Sequence, residues 1–197
     1  NKYGKTYFSR SQFGEYLPEC HPWEDYKKRY EAKKSLGGGP ILTSIHEIDH
    51  AVWLFGRVKS VTCVAKTLKL PIDVEDTAMI ILEHQNKIIS EVQLDFIQRP
   101  YTRNIQIVSD KGSMEWGLID NNLLAYSDKT KKWKKINKKK KFDINQTYID
   151  ELIHFSEIVL KNEKPLTSLD DGIHVLKVAL AAIKSSKLRK TINILLS

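Results

Sequence analysis

The chain has 197 residues, of which 41% are hydrophobic and 28% charged. That balance supports a packed core beneath an ordinary polar surface. No run of about 18 apolar residues occurs, so no helical membrane span is expected. The net charge of +8 is local, because nine lysines lie between Lys129 and Lys141 and the remainder is slightly acidic. A lysine run with a single Trp and Ile reads as a solvated hairpin or edge strand, where lysine also discourages edge pairing. It carries no RNA- or DNA-binding motif and no aromatic platform, so neither nucleic acid nor membrane is an expected partner. The first residues, Asn1 to Lys5, lack an initiator Met and the apolar core of a signal peptide, and read as a cut edge or processed start. Cys20 and Cys63 form neither a C-x-x-C pair nor a metal spacing, which points to two reduced thiols and a cytoplasmic location.

In chain order, residues 5–13 are rich in aromatic and hydroxyl side chains and predict a strand. A loop with Pro18 and Pro22 follows. Residues 24–35 are charged and predict a short helix ended by Gly37-Gly38-Gly39-Pro40. From Thr43 to Phe55 the period becomes helical: Ile45, Ile48, Val52 and Phe55 form an apolar stripe. Thr43 or Ser44 can cap this helix, with Glu47 completing a capping box, and Gly56 is placed to end it as a left-handed cap. Strands are then expected at 58–68, 77–83, 88–97, 104–109, 114–116, 123–127 and 132–136. In 88–97, Val92, Leu94 and Phe96 face one way and Glu91, Gln93 and Asp95 the other. Short turns between successive strands imply an antiparallel sheet with one covered face. Two helices close the chain, at 145–160 and from Ser168, the latter with a stripe of Ile173, Leu176, Leu180 and Ile183 and acids at its positive end. The fold class is α+β, a single domain over 1–197: a large, mostly antiparallel open sheet with helices on one face.

The stretch richest in chemistry is Gly37-Gly-Gly-Pro-Ile-Leu-Thr-Ser-Ile-His46-Glu-Ile-Asp49-His50. On a helix, His46, Asp49, His50 and Trp53 share a face that points away from the apolar stripe. His46-Glu47-x-x-His50 also fits the zinc-protease helix motif. Asp49 stands where such helices carry an uncharged residue, and no third ligand helix follows, so no zinc is expected. There is no P-loop, no G-x-G-x-x-G and no G-x-S-x-G, so the chain offers no site for a nucleotide cofactor and no serine-hydrolase elbow.

The segment from Gly37 to Gly56 resembles the substrate-domain helix of the glucose-fructose oxidoreductase and inositol dehydrogenase family (Gfo/Idh/MocA). The likeness continues in Glu15-Tyr-Leu-Pro-Glu-Cys-His-Pro-Trp-Glu-Asp-Tyr26, in Gln98-Arg-Pro, in Val108-Ser-Asp-Lys-Gly-Ser-Met-Glu-Trp116 and in Pro165-Leu-Thr-Ser-Leu-Asp-Asp-Gly172, in the family's order. The resemblance implies the substrate-binding, oligomer-forming half of an NAD(P)-dependent dehydrogenase that oxidises a sugar, amino sugar or cyclitol. Members close to this pattern often serve surface-polysaccharide pathways. NAD or NADP would be bound by an N-terminal Rossmann domain absent from this sequence, and the isolated chain would be inactive. The family's proton-accepting histidine falls on His46. Its acid one turn earlier is replaced, the nearest residue being Thr43. Asp49 is a further contact or an orienter of the ring. Trp23, Tyr26, Tyr30 and Lys33, with Tyr16 before them, lie in the segment leading to the pocket, and Arg99 is one more contact. A homo-oligomer through the open sheet face is expected. Two other readings stay open: a non-catalytic sugar-binding or assembly member of the same family, and a basic-surface binding module.

Overall fold

The computed structural model describes residues 3–119, 121–136 and 143–195. Part of the lysine run, residues 137–142, lies outside them. Among the described residues one sheet carries the strands β1 (Thr6–Tyr16), β2 (Val58–Lys66), β3 (Thr77–His84), β4 (Ile89–Asp95), β5 (Ile97–Ser109), β6 (Gly112–Gly117), β7 (Asn122–Ser127), β8 (Lys132–Lys135) and β9 (Ile192–Asn193). Their order is β8-β7-β6-β5-β1-β4-β3-β2-β9. All neighbours are antiparallel except β1 and β4, which run parallel because β1 is inserted between β4 and β5. The open, mostly antiparallel sheet expected from the sequence is therefore present, with one parallel pair that local turns do not reveal.

The helices are α1 (Leu17–Cys20), α2 (Pro40–Thr43), α3 (His46–Phe55), α4 (Ile144–Lys161) and α5 (Leu169–Leu188). The charged segment expected to be one helix is instead three short 3-10 turns, Tyr26–Lys28, Tyr30–Ala32 and Lys34–Leu36. It has no apolar stripe to bury, and an isolated short helix does not hold in water. Ile48, Ala51, Val52 and Phe55 of α3 meet Val61, Cys63, Ile80, Leu82, Val92 and Leu94 of the sheet in the main core. A smaller core joins Leu17, Ala32, Leu70 and Phe96.

Two sequence expectations need correction. In α5 the buried face is His174, Val175, Val178, Ala179, Ala181, Ala182 and Ser185, whereas Ile173, Leu176 and Leu180 are exposed. Small residues let the helix lie close on β2, close enough for the Ser185 hydroxyl to accept the Cys63 N–H at 2.9 Å. Asp95 does not sit on the open face. It is buried and accepts the N–H groups of Ile97 and Gln98 at 3.1 and 2.8 Å, fixing the turn from β4 into β5. The opening of α5 is as expected: Ser168 and Asp171 form a reciprocal capping box.

Beneath the helices the sheet carries a buried polar row. Ser9 donates to Ser90 at 2.9 Å, Ser90 lies 2.9 Å from His84 Nε2, and His84 Nδ1 lies 2.7 Å from the Gly56 carbonyl. The carbonyl can only accept, so Nδ1 carries the proton and Nε2 accepts from Ser90. His174 Nε2 accepts the Val58 N–H at 3.0 Å. Burial is the leading cause that depresses the pKa of both rings.

A depressed histidine pKa means that the unfolded chain binds protons that the folded one refuses. Stability is then lost as pH falls below the ordinary value of about 6.5. The raised carboxyls of Glu15 and Glu75 act in the opposite sense, at lower pH. Thermal melts between about pH 7.5 and 5.5 should therefore show Tm falling with acid. His174→Gln, which keeps an acceptor for Val58, should flatten that slope whatever it does to the absolute Tm. An unchanged slope would remove the histidine from the account.

Candidate functional site

The glycine run leads into α2 and α3. Gly37 and Gly39 have φ of +77° and +93°, the region open to glycine. A Cβ on Gly38 would come within 2.5 Å of the Tyr30 and Glu31 carbonyl oxygens, and one on Gly39 within 2.5 Å of the Glu75 carboxylate. Glu75 is mostly buried, which raises its pKa, and it is backed by the Ile41 N–H. A carboxylate set against the glycines disfavours any phosphate, so this run does not fit the anion-binding loop of a dinucleotide.

Thr43 Oγ1 donates to the Gly39 carbonyl at 2.9 Å, and the helix breaks at Ser44. The new helix α3 starts at His46, and its N-cap, Ile45, has no side-chain cap. The expected capping box is thus absent: Thr43 is turned back and Glu47 is engaged elsewhere. Gly56 does have positive φ, +82°, but with extended ψ, and its N–H still bonds Val52.

The face expected to be polar is so. His46 and Trp53 are exposed, and Asp49 and His50 are half-buried. Between them Glu47 turns inward with a side chain only 3% exposed, and its Oε1 accepts from Arg103 Nε of β5 at 2.7 Å. Its Oε2 lies 3.7 Å from His50 Nδ1. Arg103 also stands over the Phe13 ring at 5.8 Å, and that ring meets Tyr101 edge-on at 5.7 Å. Glu47, Arg103 and Tyr101 thus link α3 to the start of β5. They were not among the sequence candidates, since only the folded sheet brings residues 47 and 103 together.

Beside Tyr101 a pocket of about 730 Å³ opens between α1 and the first residues of β5. Glu15, Tyr16, Gln98, Arg99 and Tyr101 line it, together with Glu19, Cys20, His21 and Pro100. Burial raises the pKa of Glu15 and Tyr101. Of the sequence candidates Tyr16 and Arg99 reach this pocket, Arg99 with its Nε and Nη2 both bonded to Glu19 Oε1 at 2.9 and 2.7 Å and its guanidinium 3.2 Å from the centre of the Tyr16 ring.

The others disperse. Trp23 is 75% exposed and touches the His21 ring edge-on at 5.2 Å. Tyr26 packs on the smaller core, Tyr30 is exposed, and Lys33 is half-buried. The close His/Cys/Asp/Glu group among the described residues is His154, Glu157 and Glu163 on and after α4, not the α3 histidines. There His154 Nε2 already accepts the Leu166 N–H. Both thiols are shifted up to about 12, chiefly by burial, and so remain protonated.

The Glu47–Arg103 pair has its carboxylate buried, so removing one partner strands a charge. Arg103→Ala should cost about 3–5 kcal/mol in chemical denaturation. Glu47→Gln, which keeps an acceptor for Arg103, should cost less. A loss below about 1 kcal/mol for Arg103→Ala would mean that the pair is solvated.

The geometry has counterparts among solved structures. A levoglucosan dehydrogenase in complex with NADH and L-sorbose matches with a TM-score of 0.88 at 17% identity, over 100% of this chain and 60% of that one. An oxidoreductase from Agrobacterium radiobacter in complex with NAD+, L-tartaric acid and magnesium matches with a TM-score of 0.80 at 18% identity, over 98% and 58%. GenD2 from gentamicin A biosynthesis, in complex with NAD, matches with a TM-score of 0.78 at 17% identity, over 99% and 57%. These likenesses carry the fold, and the chain spans less than two thirds of each of these structures. No curated protein matches it. Residues 1–115 match the GFO/IDH/MocA C-terminal domain, and on that match, more than half its length, the chain belongs to this family.

Proposed function

We propose that this chain is the substrate-binding half of an NAD(P)-dependent dehydrogenase that oxidises a hydroxyl of a sugar, amino sugar or cyclitol. The observation that carries this reading is α3: a helix whose inner face is fixed in the core and by Arg103 presents His46 at its first turn, solvent-facing. Relatives of the same fold bind L-sorbose or L-tartaric acid with a nicotinamide cofactor, which supports a small polyol as the substrate class. The glycine run of this chain does not fit the cofactor's phosphates, so the dinucleotide would be held by another domain, and the chain alone would be inactive. The cofactor supplies a hydride acceptor when bound there.

The part of this chain is proton handling and orientation. His46 accepts the hydroxyl proton, a task suited to an imidazole. Asp49, one turn on, orients the ring or contacts substrate. Thr43, with its hydroxyl already given to Gly39, is a weak substitute for the family's acid. That favours a second reading, a non-catalytic sugar-binding member of the same family, in which His46 is only a contact.

In the protein with its cofactor domain, His46→Ala should lower turnover by about 10²–10⁴ and leave cofactor binding intact, with His50→Ala doing much less. Equal, small effects of both would favour the non-catalytic reading. The chain is also proposed to form homo-oligomers through the open sheet face. Val64, Met79, Ile81 and Ile89 are 43–59% exposed on that face, next to Glu91 and Gln93, and a self-complementary contact would cover them. Light scattering at tens of micromolar should report a dimer or larger species, and a monomer alone would refute it.

A further inference from the structure

The pocket between α1 and β5 contains an unusual acid. Glu15 lies at the end of β1, half-buried, and the Cys20 thiol near it gives its one proton to the Tyr16 carbonyl at 3.4 Å. The neighbouring charges relieve it only in part, through Arg29. Glu31 and Asp95 are like-charged, and Arg29, the nearest cation, is bonded through both Nε and Nη2 to Glu31. Arg99, on the pocket wall, is engaged through both Nε and Nη2 by Glu19, and Lys69 stands 5.1 Å from the Tyr16 ring centre, where its charge also acts on Glu19. His21 completes the titratable lining. The remaining walls are those of a sugar site: the Tyr16 and Tyr101 rings, the Gln98 amide, and a volume of about 730 Å³ that exceeds a single hexose.

A carboxylate drawn partly out of water, with like charges behind it, gains from a cation and repels an anion. From this we infer that the pocket takes a sugar bearing a free amine and rejects sugar acids, with Glu15 reading the amine. The inference rests on the sugar-dehydrogenase reading, because Tyr101, through Phe13, Arg103 and Glu47, joins this pocket to the helix of His46. Tyr16 and Tyr101 pack the ring, and Gln98 bonds its hydroxyls. Glu15 is then a specificity residue, and no bond is made or broken at it.

The test is amide NMR on this chain near pH 7, titrated with D-glucosamine, D-glucose and D-glucuronate. Glucosamine should shift the amides of Glu15, Tyr16, Gln98 and Tyr101 and bind several-fold more tightly than glucose. Glucuronate should bind more weakly than either. Glu15→Gln, with an unchanged circular dichroism spectrum, should bring glucosamine down to the level of glucose. Glucuronate binding as well as glucosamine, an amine preference that survives Glu15→Gln, or shifts confined to residues outside the pocket would each overturn the inference. Turnover by the protein with its cofactor domain separates the two readings. Sugar oxidation that depends on His46 but shows no amine preference would remove the inference and leave the function. Amine-selective binding with no oxidation of any sugar would do the reverse.

Discussion

A carboxylate side chain that is 3% exposed must be paired, and the partner chosen for Glu47 organises the site. Glu47 lies on α3 and Arg103 on β5, so their bond fixes how α3 is rolled on the sheet. With Glu47 turned inward, Ile48, Val52 and Phe55 can only enter the core, and His46, Asp49, His50 and Trp53 can only face outward. Arg103 leans on Phe13, whose ring packs on Tyr101, so the same contact positions the wall of the pocket. One buried ion pair thus relates the helix of the candidate base to the cavity. It does so with side chains from α3, β1 and β5, which only the finished sheet brings together.

What was legible in the sequence follows from this. The α3 stripe could be read because its period is local and its core is apolar. Strands β2 to β8 could be read because their turns lie between them in sequence. The insertion of β1 between β4 and β5 could not, since it is a long-range choice. The face of α5 was misread for a different reason. Hydrophobicity points to Ile173, Leu176 and Leu180, but close approach to β2 selects the small residues Ala179, Ala182 and Ser185. Volume, not hydropathy, decided that face. The Glu47–Arg103 pair left no signal, being spaced 56 residues apart. Asp95 looked like an outward residue of an alternating strand but serves as a turn former, because the strand ends where it stands.

The interior treats its titratable groups by one rule. Groups without a charged partner remain neutral: His84 and His174 accept hydrogen bonds through Nε2, and the two thiols stay protonated. Groups that stay charged are paired or closely bonded, as with Glu47 and Arg103, Glu31 and Arg29, or Asp76 with the N–H groups of Leu68, Lys69 and Leu70. Glu15 and Glu75 depart from the rule, and both lie against cavities. Glu75 has a structural reason, closing the glycine turn beneath α2. Glu15 has none of that kind, which is why its neighbourhood, rather than the lysine run, bears on ligand choice.

The global charge of +8 would by itself suggest an anionic ligand. The placement of that charge argues otherwise. The described lysines of the run lie on and beside β8, the outer edge of the sheet, and β5 is three strands away. At the usual spacing between strands that is roughly 14 Å, beyond a screening length of about 8 Å in physiological salt. Two of these side chains are also engaged locally, Lys131 with Asp128 and Lys135 with Asn122. Their field at the pocket is therefore small beside that of the nearer charges, Glu15 and Asp95 together with Lys69 and the Arg29–Glu31 and Arg99–Glu19 pairs. A basic chain can in this way hold an acidic recess, and the sign of the recess follows from its nearest few side chains rather than from the sum over the sequence.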